Sequence, residues 1–263
     1  GCVASIGTVV DGDYYYHVRH RGLYRYDPET GERQQMLSTF WYNSYQVNEY
    51  GVYYISGKSL CVLDHAAKKR TLLYRGGGDC TNLHLSLYGD DVVVTVYDRK
   101  TDRSYQLLLG GKTGGDRQEV TPPTDYGYYD THMFSQRHFR VGERELELAP
   151  LDGESERYDL RENGVSLLPD GVAVDPYPDR VGDALWFLCS HQTATDTYYI
   201  AAPAGDRTVT LPVANYYACG EDFALYHNDT TVYAADLRTG ETWELTADTD
   251  AEWYSLTGDG QYV

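Results

Sequence analysis

Apolar and polar positions alternate with a period of two in segment after segment, as in Leu23-Tyr24-Arg25-Tyr26 and Val232-Tyr233-Ala234-Ala235. Such alternation predicts half-buried β-strands, and no segment combines helical spacing with caps at both ends. The strands recur in a fixed phrase: an apolar lead, a glycine with acidic neighbours, and then a strand rich in Tyr or Val. It reads VVDGDYYYHV around Gly12, VNEYGVYYIS around Gly51, LYGDDVVVTV around Gly89 and FRVGERELEL around Gly142. It continues as DRVGDALWFL around Gly182, YACGEDFALY around Gly220 and SLTGDGQYV around Gly258. The successive glycines stand 39, 38, 53, 40, 38 and 38 residues apart, so one interval carries an insertion and the others agree.

Within a unit the phrase runs on to a strand, a tight turn and a further strand: GLYRYD, PETGE and RQQMLS at 22–38, repeated in TVYAADLRTGETWELT at 231–246 and more loosely in SLCVLDHAAKKRTLLY at 59–74. Gly suits the positive φ of such turns, and Asp and Thr side chains can bond their backbone. Each unit therefore predicts four antiparallel strands. A sheet of that size cannot bury both faces alone, and radial stacking of such sheets is the β-propeller solution. The fold class expected is all-β, a β-propeller of four-stranded antiparallel blades forming a single domain over residues 1–263. Seven repeats predict seven blades. Six blades with an added closing strand is the alternative, because the seventh unit stops at Val263, and AEWYSLTGDGQYV is expected to close the ring beside the N-terminal strand.

The pattern Gly-x-x-Tyr-Tyr, Leu-Tyr-x-Tyr-Asp-x-x-Thr-Gly, Leu resembles the TolB-like and DUF5050-type propeller repeats of bacterial exported proteins. The resemblance covers nearly the full chain, although the unit around Gly142 lacks both the Tyr-Tyr pair and the Thr-Gly turn. It implies a propeller used as a binding scaffold, and it brings no catalytic residues.

Composition narrows the partners. Forty acidic against 22 basic side chains give a net charge of −18, which argues against nucleic acid and anionic membrane surfaces. The longest apolar run, Ala184 to Cys189, is far short of the roughly 18 to 20 residues of a membrane-spanning helix. Gly1-Cys2 matches what remains of a bacterial lipobox, so Cys2 is read either as a lipid anchor of an extracytoplasmic lipoprotein or as a plain cysteine. Cys61, Cys80, Cys189 and Cys219 have two readings, buried free thiols or up to two disulfides, and no Cys-x-x-Cys pair points to zinc.

Catalytic signatures are missing: there is no Gly-x-Ser-x-Gly elbow, no His-Glu-x-x-His and no calcium loop, and no cofactor is expected. In a four-stranded blade the second-to-third loops and the inter-blade connections share one face, the better candidate for binding. That face is expected to include HVRHRG at 17–22, TFWYN at 39–43, GGGDC at 76–80, TPPTDYGYYD at 121–130, SHQTATD at 190–196, PVANYY at 212–217 and HNDT at 227–230. The binding candidates are His20 and Arg21 for an anionic group, Trp41 and Tyr42 for stacking on a sugar or peptide, Tyr126, Tyr128 and Tyr129 in the insertion, and His191 and His227 as ligands or acid/base groups. Each has a plainer reading as a solvated loop residue or as inter-blade packing. The expected function is a non-enzymatic exported module holding a protein, peptide or glycan. The alternatives are a hydrolase or lyase with a metal-assisted site at the channel mouth, and an architectural domain of a larger assembly.

Overall fold

The computed structural model describes residues 4–18, 21–38, 45–66, 68–120, 133–151, 157–181, 184–190, 196–203, 205–211, 215–219, 223–228 and 231–245. Its contacts divide the chain into two compact units, Gly1–Phe139 and Arg140–Val263.

The first unit holds three four-stranded antiparallel sheets, each with its strands paired in sequence order. They are β1 (Ala4–Val10), β2 (Asp13–Val18), β3 (Gly22–Tyr26) and β4 (Arg33–Leu37); then β5 (Tyr45–Val47), β6 (Gly51–Ser56), β7 (Ser59–Asp64) and β8 (Arg70–Arg75); then β9 (Cys80–Tyr88), β10 (Asp91–Asp98), β11 (Arg103–Leu109) and β12 (Gln118–Glu119). The repeat glycines sit where the pattern put them, at the first-to-second turn: Gly12, Gly89 and Gly142 with φ of 82°, 59° and 60°. Gly51 is chosen for space instead, since a Cβ there would strike the carbonyl of Leu63.

Alternation in the strands becomes two cores. Tyr15, Leu23, Val47 and Val52 pack between the first and second sheets. Tyr53, Leu60, Val62, Leu73, Val92, Val94, Val96 and Leu109 pack between the second and third. Much of the tyrosine content is thus structural, with Tyr15 and Tyr53 at 2% and 0% exposure. The insertion departs from the all-β pattern with a single helical turn, α1 (Phe134–Arg137). It lacks a side-chain cap and is held from the flank: the buried Gln106 amide accepts from the Ser135 amide at 3.0 Å and donates to Ser135 Oγ and Thr95 Oγ1, both at 2.8 Å.

The second unit contains a nine-stranded sheet and a four-stranded one. The large sheet is built from β13 (His138–Val141), β14 (Arg144–Pro150), β15 (Tyr158–Glu162), β16 (Val165–Ser166), β17 (Ala173–Val174), β18 (Asp179–Val181), β19 (Ala184–Ser190), β20 (Asp196–Ala202) and β21 (Gly205–Leu211). The small one comprises β22 (Asn215–Cys219), β23 (Phe223–Asn228), β24 (Thr231–Asp236) and β25 (Thr242–Leu245). Two repeats, expected as separate sheets, are fused. Val174 of β17 lies opposite both Tyr158 of β15 and Cys189 of β19, so the two residues of β17 serve as an edge of each neighbour. β16 and β18 complete those edges further along. The core between β18–β21 and β22–β25 is Ala184, Trp186, Val209, Ala224, Ala235 and Leu237. The seventh repeat around Gly258, and with it the expected closing strand, lies outside the described residues.

One turn recurs at the third-to-fourth position. Asp27 bonds the amides of Glu29 and Thr30, its carbonyl accepts from Gly31 N at 2.8 Å, and its amide donates to Glu32 O at 2.9 Å. Asp236 repeats each of these contacts with Arg238, Thr239, Gly240 and Glu241. Asp64 keeps the five-residue closure through Lys69, and Gly110 keeps it through Gly115 without any carboxylate.

Candidate functional site

The second-to-third turns and an inter-blade connection do share an edge in the first unit. The connection from β8 to β9, Gly76–Cys80, is tied to the β6–β7 turn by Gly76 N to Lys58 O at 2.9 Å and by the Lys58 ammonium, which donates to the Gly77 and Gly78 carbonyls. It is tied to the β10–β11 turn by Arg99 N to Asp79 O at 3.0 Å. Lys58, Arg75, Arg99 and Lys100 are all exposed around it, as are Gly77, Gly78 and Asp79. Gly77 and Gly78 have neither a positive φ nor any atom within 4 Å of a built Cβ, so the chain's own packing does not call for glycine there. Among the described residues, the amides of Gly77, Gly78 and Asp79 have no hydrogen-bond acceptor within the chain. Exposed peptide N–H groups beside cations form a surface suited to carboxylate, sulfate or phosphate oxygens. Asp79, exposed within the connection, tempers the charge, as do Asp98 and Asp102, which are engaged locally: Asp98 accepts from Lys100 N at 2.9 Å, and Asp102 accepts from Tyr97 Oη at 2.6 Å.

The opposite edge carries acids at its turns: Asp11, Asp13, Glu49, Asp90 and Asp91 at the first-to-second positions, and Asp27, Glu29, Glu32, Asp64 and Asp116 at the third-to-fourth. Lys68, Lys69 and Lys112 share that edge. Lys58, Arg99 and Lys100 are not among the residues expected to bind from the sequence. Their signal was the sign of the charge at second-to-third turns, in SGKS and YDRKTDR.

Of the residues expected to bind, Arg21 is exposed at the β2–β3 turn, where its carbonyl accepts from Gln35 Nε2 at 2.6 Å. His227 corrects the loop assignment: it lies inside β23, paired with Asn215 and Val232, because the strand runs on to Asn228. His17 likewise lies within β2, opposite Ser5 and Leu23. His20, Trp41, Tyr42, Tyr126, Tyr128, Tyr129, His191 and Cys2 lie outside the described residues. Cys61, Cys80 and Cys189 are free thiols, the first and last buried and Cys80 half-buried, and burial pushes Cys189 up to about 12. Cys219 ends β22.

An aromatic array occupies the first sheet. Tyr16 and Tyr24 stack at 5.7 Å under the Arg33 guanidinium, and Tyr14 and Tyr26 stack at 6.3 Å beside them. Among the described residues no three His, Cys, Asp or Glu side chains gather as metal ligands, and no helix is long and apolar enough to cross a membrane.

No protein-family model matches the sequence, and no curated protein is similar to it. Solved structures are similar in fold. An oligogalacturonate lyase in complex with manganese aligns over 95% of this chain and 77% of its own, at 13% identity and a TM-score of 0.56. The oligogalacturonate lyase of Vibrio parahaemolyticus aligns over 95% and 78%, at 12% identity and 0.56. A prolyl endopeptidase aligns over 92% of this chain but 42% of its own, at 16% identity and 0.53. The fold is accordingly a β-propeller built from antiparallel sheets. The narrower TolB-like resemblance gains no support from a family model.

Proposed function

We propose that the chain is an exported, non-enzymatic β-propeller module that holds a protein, peptide or glycan on the edge formed by its second-to-third turns and inter-blade connections. The observation that carries this reading is the Gly76–Asp79 connection, with open glycines and unclaimed amides between Lys58, Arg75, Arg99 and Lys100. Loops fixed on a rigid sheet scaffold are where binding residues concentrate. The edge favours a ligand with carboxylate or sulfate groups, and the similarity in fold to proteins named oligogalacturonate lyase makes acidic glycans the first class to try. Trp41, Tyr42 and the Tyr126, Tyr128, Tyr129 segment belong to the same reading as stacking residues, and Cys2 as its membrane anchor.

An array of acidic and neutral glycans and of peptides tests it. The double variant Lys58→Ala/Arg99→Ala, together with Trp41→Ala and Tyr128→Ala, should lose binding while melting as the wild type does. Binding unchanged in all of them would place recognition elsewhere.

A further inference from the structure

One buried side chain of the first unit is polar where its surroundings are apolar. Asn82 on β9 lies directly opposite Val96 of β10, and Val96 lies opposite Tyr105 of β11, so the three form one cross-strand row on one face of the third sheet. Val96 belongs to the apolar junction with the second sheet, and so does Leu85 further along β9. Asn82 is 6% exposed, yet neither its Oδ1 nor its Nδ2 has a hydrogen-bond partner among the described residues. A buried amide left unpaired costs more than an apolar side chain of the same size, so packing does not account for it. The ladder also slips here: Thr95 pairs with His84 and Val96 with Asn82, which leaves Leu83 as a bulge, a device that re-aims side chains beside sites.

The row lies below the Gly76–Asp79 connection. Cys80, two residues before Asn82, points to the same face and packs against the same junction, with its Sγ 3.9 Å from the Tyr105 hydroxyl. A Cβ built on Gly76 would come within 3.1 Å of Cys80 Cβ, so the connection rests on this end of the junction. Because Asn82 is enclosed, a ligand reaches it only if the connection moves. Gly77 and Gly78 meet no atom within 4 Å of a built Cβ, and their carbonyls are held by the exposed Lys58 ammonium. An oxyanion competing for that ammonium would loosen the connection at this point.

We propose, on the reading of this edge as a surface that holds an acidic glycan, that Asn82 is its inner contact, reached when an oxyanion draws Lys58 from the Gly77 and Gly78 carbonyls, and that it reads the hydroxyls beside the acid group. A carboxamide offers an acceptor and two donor hydrogens side by side, and a sugar hydroxyl both donates and accepts, so two neighbouring hydroxyls satisfy both of its polar atoms. The cations and the amides of Gly77, Gly78 and Asp79 take the carboxylate or sulfate, and Asn82 distinguishes a ring with free hydroxyls from a bare anion. The unpaired amide is then a cost in stability kept for binding.

The test uses the whole chain. Wild type and Asn82→Leu are titrated with inorganic sulfate, with an oligouronate and with the same oligouronate O-methylated, followed by the amide NMR shifts of Gly77, Gly78 and Asp79. Asn82→Leu should melt above the wild type, bind sulfate as the wild type does, and hold the oligouronate about tenfold more weakly, no better than the O-methylated form. An oligouronate bound equally by both proteins overturns the assignment, and so does a variant that melts below the wild type, which would make Asn82 part of the fold. In the wild type alone, the oligouronate should slow alkylation of Cys80 by iodoacetamide and the O-methylated form should not; equal rates overturn the assignment without any variant. Sulfate binding with the oligouronate held no tighter ends the Asn82 contact alone, whereas binding of neither ends the reading of the edge as well. An acidic peptide held more tightly than the oligouronate, and lost in Asn82→Leu, overturns the glycan class.

Discussion

Lys68 stands at the position that glycine fills in three sister turns. Its φ is 51°, against 73° for Gly31, 70° for Gly114 and 74° for Gly240. A side chain with a Cβ is strained in the left-handed region by about 1–2 kcal/mol, and glycine is not. Lys68→Gly should therefore raise the urea midpoint by the equivalent of about 1 kcal/mol, net of the entropy glycine adds to the unfolded chain, and Gly31→Ala should lower it by about 1 kcal/mol. Unaltered midpoints in both variants would mean that these turns relax at no cost. The same turn shows what one carboxylate can organise: the Arg238 guanidinium and the turn amides hold Asp236 down to about 2, so it remains charged into strong acid.

Elements are joined by contacts that the repeat does not encode. The fork of Arg144 on β14 takes Glu162 of β15 at 2.9 and 3.2 Å and also pairs with Asp206 of β21, reaching from one repeat to the next. Its side chain is 16% exposed, with the two acids at 27% and 28%. Arg144→Met leaves two half-buried carboxylates without their cation. It should cost about 2–4 kcal/mol in equilibrium unfolding, somewhat less than the loss for a fully buried pair. A loss below about 1 kcal/mol would class the cluster as ordinary surface pairing. The four-strand unit, the repeat glycines and the Asp-x-x-Thr-Gly turn were all legible in the sequence, because each is a short-range demand for positive φ or a local hydrogen bond. The Arg144 cluster and the double pairing of Val174 were not, since Val174 meets Cys189 through tertiary placement and not through spacing. His17 and His227 were misread for a related reason: polar residues near a turn look like loop until their cross-strand partners, Leu23 and Val232, are known.

For the whole molecule the charge balance matters beyond any single pair. A net charge of −18 attracts cations at long range, while the Lys58–Arg99 edge offers local positive charge. Association with a cationic partner should therefore slow as salt rises, measured as the on-rate from about 20 to 200 mM, because the Debye length shrinks across that range. A flat on-rate would show that the charges act only at contact. The candidate edge is half legible in the sequence: blade geometry gives its location, but lysines and arginines at hairpin turns read as ordinary solvated loop until the bonds of Gly76 to Lys58 and of Arg99 to Asp79 bring the turns together.

The two-residue strand β17 bears on how the chain can be taken apart. Since Ala173 and Val174 complete the edges of two sheets at once, the repeat of sequence is not a unit of excision there. A cut just after Val174 would strip β19 of its partner at Cys189 and Ser190, and a cut just before Ala173 would do the same to Tyr158. Circular permutants opened between Thr30 and Gly31, in the β3–β4 turn, would disturb one hairpin turn, whereas those opened near residue 173 would undo the seam of a nine-stranded sheet.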